Sequence, residues 1–194
     1  NISVIEAPLD YTQEASWLDF LLKAKNTFGR IDILINNLEQ ITEHNVIETS
    51  DDIWDQTVQT NLDSVFLATK STVPYFLEIN GGAIVNLISV ESMTGSHSST
   101  AFSSSQGGIR TLSKSIAAQY GKHNIRSNCI LMGYFKDTDS EQIEPKILSG
   151  FHNIPMNRLG NFEELSHVVL FLASTESCYI TGTELIVDGG FSIA

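Results

Sequence analysis

Phe28-Gly-Arg-Ile-Asp-Ile-Leu-Ile-Asn-Asn37 closes one helical pattern and opens a strand. Upstream of it, Leu18, Leu21, Leu22 and Phe28 recur at helical spacing over Thr12–Phe28, and Gly29 stands where a helix takes a left-handed C-terminal cap. The near-continuous apolar run 31–36 has the length of a strand buried on both faces, the kind a parallel sheet contains. Downstream the alternation repeats. Ser50 with Asp51 and Asp52 reads as an N-cap and an acidic first turn, and Ile53, Trp54, Val58, Leu62, Val65 and Phe66 continue the helix, with Pro74 near its end. Gly81-Gly82 breaks it, and Ala83–Ile88 is a second apolar strand. A helix follows over Ala101–Tyr120, marked by Phe102, Ile109, Leu112, Ile116 and Tyr120, then a strand over Ile125–Leu131. Asn161 with Glu164 three residues on forms a capping box before Leu165, Val168, Val169 and Leu172, and Glu184–Val187 is a last short strand.

Strand–helix alternation of this kind predicts an α/β, Rossmann-like, doubly wound parallel sheet with helices on both faces. All 194 residues form one domain, with no internal repeat and no low-complexity linker. The stretch from Tyr134 to Gly160 is the one irregular segment, placed after a strand end where such folds cover a ligand crevice.

Composition narrows the function. A hydrophobic content of 42% excludes disorder, and no apolar run approaches the roughly 20 residues of a membrane span. Net charge is −12, which repels phosphate backbones and argues against nucleic-acid binding. Cys129 and Cys178 make no disulfide framework, the five histidines and two cysteines show no metal-ligand spacing, and the first residues, with Glu6 and Asp10 early and no basic start, do not read as a secretory signal. The expectation is a reduced, cytoplasmic protein that acts on a small molecule, without metal.

Four segments together resemble the short-chain dehydrogenase/reductase family, especially its 3-oxoacyl-carrier-protein reductase-like members. These are Phe28–Asn37, the helix around Asn61-Leu62, Ile84–Ser89, and a tail running from Pro155-Met-Asn-Arg-Leu-Gly160 through Phe171–Ser174 and Ile180-Thr-Gly to Val187-Asp-Gly-Gly190. The resemblance implies a nicotinamide cofactor, NAD or NADP, and hydride exchange with a carbonyl or hydroxyl carbon. It places the family's Ser at Ser89 and its Asn at Asn61, where the Asn also kinks its helix. Its Tyr-x-x-x-Lys, in which Lys lowers the phenol pKa so that Tyr can exchange a proton with the substrate oxygen, falls on Phe102 and Gln106. Phe has no proton to give and Gln no charge. Ser103, Ser104 and Ser105 lie nearby without a base, and Lys114 is too far along the helix to replace Gln106. His97 and His152 sit in loops near the crevice but read as surface residues.

Further departures fall on the implied cofactor positions. The small-residue loop of the family reads Asn37-Leu38-Glu39, and its Pro-Gly turn reads Met132-Gly133; Asp10-Tyr11-Thr12 keeps the adenine-contacting pattern. No Gly-rich strand-to-helix turn occurs, so the family's N-terminal βαβα part is lacking in this sequence. Either the native polypeptide is longer or the protein lacks half of a cofactor site, and an otherwise exposed sheet edge favours the first. Two functions stay open: an NAD(P)-dependent oxidoreductase with impaired or altered catalysis, or a catalytically inactive homologue that binds a small molecule or serves as a structural or regulatory subunit. The family also implies a homo-oligomer, dimer or tetramer, formed through the helices of Ser50–Leu77 and Ala101–Tyr120. The Glu141/Glu144 and Glu163/Glu164 pairs read as solvated helix faces.

Overall fold

The computed structural model describes residues 3–136 and 153–194. Its helices are α1 (Glu14–Phe28), α2 (Asp51–Val58), α3 (Ser64–Glu78), α4 (Glu91–Thr94), α5 (Thr100–Tyr120) and α6 (Phe162–Ala173). Its strands are β1 (Ile33–Asn36), β2 (Gly82–Ser89), β3 (Ile125–Met132), β4 (Phe135–Lys136), β5 (Gly160–Asn161) and β6 (Glu184–Val187). The main sheet runs β1-β2-β3-β6, parallel throughout, with Ile33 opposite Ala83, Gly82 opposite Ile125 and Cys129 opposite Glu184. Short β4 and β5 pair separately, so part of the stretch read as irregular is regular. Of the residues singled out on that stretch, Glu141, Glu144 and His152 lie outside the described residues.

Strand periodicity sorts the core into two faces. Ile84 and Ile88 of β2 and Ile125, Cys129 and Leu131 of β3 pack beneath α1, α3 and α5, whose contributions include Trp17, Ala68, Phe76, Val65 and Ile109. Val85, Leu87 and Ile130 turn to the opposite face and meet Leu165 and Leu172 of α6. On β1 only Leu34 and Asn36 are buried; Ile33 and Ile35, on the face toward α6, are 46% and 47% exposed. β1 is thus an edge strand among the described residues, with open apolar surface beside it.

Local chemistry sets the element ends. Gly29 takes φ +84° and its N–H donates to Lys25 O at 2.8 Å, a left-handed cap that a Cβ would strain. Ser50 caps α2 through Ile53 N, and Asn161 and Glu164 complete the reciprocal capping box of α6 at 2.8 and 3.0 Å. The long helical pattern from Ser50 is not uniform: a π-helical turn at Gln59–Asp63 separates α2 from α3, and Pro74 lies in α3 four residues before its end at Glu78. Glu164 is not a freely solvated carboxylate. Arg158 hydrogen-bonds both its oxygens at 2.6 and 2.8 Å, and with the Asn161 backbone N–H this holds its carboxyl down at about 2.

Candidate functional site

Parallel α/β sheets bind ligands beyond the carboxyl ends of their strands, and here those ends are Asn36, Ser89, Met132 and Val187. β2 outruns its neighbour: its pairing with β1 stops at Asn36–Asn86, where the two side chains share a buried 2.7 Å hydrogen bond. Residues 87–89 therefore have no β1 partner. Gln106 of α5 supplies the missing acceptor, its Oε1 taking the Ser89 N–H at 3.0 Å. Ser89 is half-buried, and its Oγ accepts the Glu91 N–H at 3.2 Å as α4 begins.

Asn61 stands in the π-helical turn, a local widening common at functional sites. The widened turn aims a fully buried carboxamide at the loop after β1. Its Oδ1 accepts Gln40 N–H at 2.8 Å, and its Nδ2 donates to Gln40 O at 3.0 Å and to Ser105 Oγ at 3.3 Å. Ser105 in turn donates to Phe102 O at 2.7 Å. One chain of hydrogen bonds thus joins Gln40, Asn61, Ser105 and the Phe102 carbonyl. Phe102 and Gln106 are each 1% exposed, on the buried stripe of α5 with Ile109, Ser113 and Ala117. Sequence reasoning did not single out Gln40, whose part is played by its backbone; no side-chain pattern signals that.

The implied cofactor residues divide between two clefts. Asp10, Tyr11, Leu38 and Glu39 line a cleft of about 710 Å³ with Thr12, Gln40, Gln56, Gln59 and Thr60. Asn37, Glu39 and Met132 line another of about 610 Å³ against Leu87, Phe162 and Val169. Gly133 faces neither in that set: a Cβ there would stand 2.7 Å from Asp188 Cα, so its place is set by close backbone approach. Asp10 is held below the usual carboxylate range by the Thr12 hydroxyl and then the Thr12 N–H. His97 is exposed on the loop before α5. Lys114 pairs with Glu184, which also binds Arg110 Nη2 at 2.7 Å, so this lysine is occupied away from Gln106.

A nicotinamide dinucleotide needs a seat for its pyrophosphate and donors for its ribose. Among the described residues the cleft at Asp10–Thr12 is lined by Asp10, Glu39 and neutral side chains, with no basic side chain. Gln106, at the position the resemblance gives to a ribose-binding lysine, is buried and turned onto Ser89. The groups Cys, His, Asp and Glu form no metal-binding cluster among the described residues, and no helix there is long and apolar enough to cross a membrane.

Comparison with known proteins places this geometry. The family model for enoyl-(acyl carrier protein) reductase matches residues 2–192. A 3-oxoacyl-[acyl-carrier-protein] reductase of Thermotoga maritima is 32% identical over 186 residues, 95% of this chain and 76% of the relative. The 2-dehydro-3-deoxy-D-gluconate 5-dehydrogenase of Escherichia coli is 32% identical over 173 residues, 87% of this chain and 68% of the relative. Among solved structures, a putative short-chain dehydrogenase/reductase from Burkholderia xenovorans superposes with TM-score 0.90 at 29% identity, covering 99% of this chain and 76% of that one.

Proposed function

The chain belongs to the short-chain dehydrogenase/reductase family of oxidoreductases, and from that premise we propose that it is a small-molecule-binding member whose carbonyl reduction is weak or absent. One observation carries this reading: Phe102 and Gln106, both buried, stand at the positions the resemblance gives to the proton donor and its lysine. General acid–base catalysis contributes typically about 10²–10⁴-fold, and a serine without a base does not replace it. Asn61 supports the reading, because both its amide hydrogens and one lone pair of its oxygen are engaged within the protein. Any substrate is a carbonyl or hydroxyl compound, by analogy with the 3-oxoacyl reductase relatives.

Binding of NADH and NADPH is measured first by calorimetry, then turnover of a 3-oxoacyl thioester with both nucleotides. The expected result is turnover at least about 100-fold below an active 3-oxoacyl reductase assayed in parallel. Turnover matching that reductase overturns the proposal. We further propose self-association as a dimer or tetramer through the outer faces of α2, α3 and α5, supported by the exposed Trp54, Phe66 and Leu77.

A further inference from the structure

The amino ends of the strands carry a cavity that the candidate site does not use. It measures about 860 Å³ and opens between the starts of β1, β2 and β3 and the turn that leads from α6 to β6. Gly82 lines it at the start of β2, and Ser89 ends the same strand about 23 Å away. Ile33, Ile125 and the ring of Tyr179 give the wall its apolar part, and Arg30, Asp32 and Arg126 are its charged members.

Arg126 sets the character of this cavity. Its Nη1 donates to Leu172 O at 2.8 Å and to Ser177 Oγ at 3.0 Å, and its Nη2 donates to Ser174 O at 3.0 Å. A weaker contact reaches Ile180 O at 3.5 Å. The guanidinium is thus fixed against the end of α6 and the turn after it, by acceptors that are all neutral. Among the described residues no carboxylate pairs with Arg126, and its Nε–H has no acceptor although it is not sealed from solvent. Partial burial of a cation without a counter-ion forfeits solvation that nothing returns. Burial accordingly pulls the Arg126 pKa down, with the nearby Cys178 thiol as the one opposing influence.

Arg30 binds Asp32 through Nε at 2.9 and 3.0 Å, and its Nη1 has no acceptor among the described residues. Two guanidiniums and one carboxylate leave a net positive charge at this cavity, in a chain whose net charge is −12. By contrast the cleft at Asp10–Thr12 is lined by two carboxylates, and the cleft against Phe162 by one. A planar monocarboxylate answers both the charge and the open donor, because it accepts the Nε–H in a charge-assisted hydrogen bond. A phosphate dianion would bring a second negative charge beside Asp32 with no further unpaired cation to meet it. Ile33 and Tyr179, 46% and 101% exposed, offer apolar surface that a hydrocarbon body on the ligand would cover.

We propose that this cavity is a second ligand site, which takes a monocarboxylate with an apolar body on Arg126, while Arg30 and Asp32 tune its field from the rim. The bound carboxylate also braces the joint between α6 and β6, because Arg126 already ties Leu172, Ser174 and Ser177 together. The site stands apart from the carboxyl ends of the strands, so it does not depend on whether carbonyl reduction occurs there.

The test is a ligand-observed fluorine NMR titration with 4-(4-fluorophenyl)butanoate and its neutral amide, which share an apolar body and differ in charge. The wild-type chain is expected to bind the carboxylate about tenfold more tightly than the amide, and Arg126→Gln to lose that preference. Because Arg126→Gln also removes the ties on α6, two exposed rim variants that leave those ties intact are titrated beside it. Arg30→Gln is expected to weaken carboxylate binding about threefold, and Asp32→Asn to strengthen it by a similar factor, with the amide unmoved in both. Equal binding of the two probes, no carboxylate binding at millimolar concentration, a preference retained in folded Arg126→Gln, or a carboxylate affinity unmoved in either rim variant overturns the proposal. If Arg126→Gln fails to fold, the opposite shifts of the two rim variants decide.

Discussion

An asparagine side chain has one acceptor oxygen and two donor hydrogens, and at position 61 the fold uses all three. Oδ1 and Nδ2 grip both backbone groups of Gln40, and the second hydrogen reaches Ser105. Asn61→Ala leaves a buried hydroxyl and two backbone groups short of partners, so it is expected to lower stability by about 2–3 kcal/mol, read from urea unfolding; a change under about 0.5 kcal/mol would show that the clamp is dispensable. The two cysteines differ as sharply. Cys129 is buried on β3, and burial pushes its thiol up to about 11, while Cys178 is exposed. Ellman's reagent is expected to modify one thiol in the native chain and the second only after denaturation.

At the scale of elements, α6 shows how a short motif is read from sequence and completed by a neighbour. Asn161 and Glu164 have the spacing of a capping box, and the structure makes both of its hydrogen bonds. Arg158, six residues before Glu164, was not part of that pattern, yet it hydrogen-bonds both carboxylate oxygens. Because the folded carboxyl is held at about 2, below its ordinary value, its contribution to stability is present above the ordinary carboxylate range and is lost as pH falls from there through about 2. A carbon-detected NMR titration should find Glu164 titrating near 2 and moving toward 4.5 in Arg158→Gln; an ordinary midpoint in the wild-type chain would refute the pairing. The π-helical turn is the second lesson at this scale. The resemblance assigned Asn61 a kinked helix; the structure has five π-helical residues there, and its amide meets the loop after β1.

For the whole molecule, the distribution of apolar surface matters more than its amount. One face of the sheet is covered by α1, α3 and α5, and the other by α6 over β2 and β3 only, so Ile33 and Ile35 remain open. Phe66, Trp54 and Leu77 form a separate exposed set on α2 and α3. If that set makes the proposed self-contact, light scattering at moderate salt should give a dimer or tetramer mass, and Phe66→Glu should reduce it by placing a charge in a desolvated contact. A wild-type chain of monomer mass, or a variant with unchanged assembly, argues against this surface. Screening matters here because a net charge of −12 opposes association at low ionic strength.

Sequence alone sufficed for the α/β class, the order of the four main strands and the long helices between them, the helix caps at Gly29, Ser50 and Asn161, and the family. These follow from local periodicity, turn chemistry and residue order, which a chain displays without folding. It also placed Ser89, Asn61, Phe102 and Gln106 as candidates through the resemblance. What those side chains touch emerges only on folding. Gln106 meets Ser89 because β2 extends past β1, Asn61 meets Gln40 because a π-helical turn rotates it, and the neighbours Asn37 and Leu38 line different clefts while Glu39 lines both. Hydrogen-bond partners so far apart in the chain are set by strand length and helix rotation, and neither is written in any local pattern.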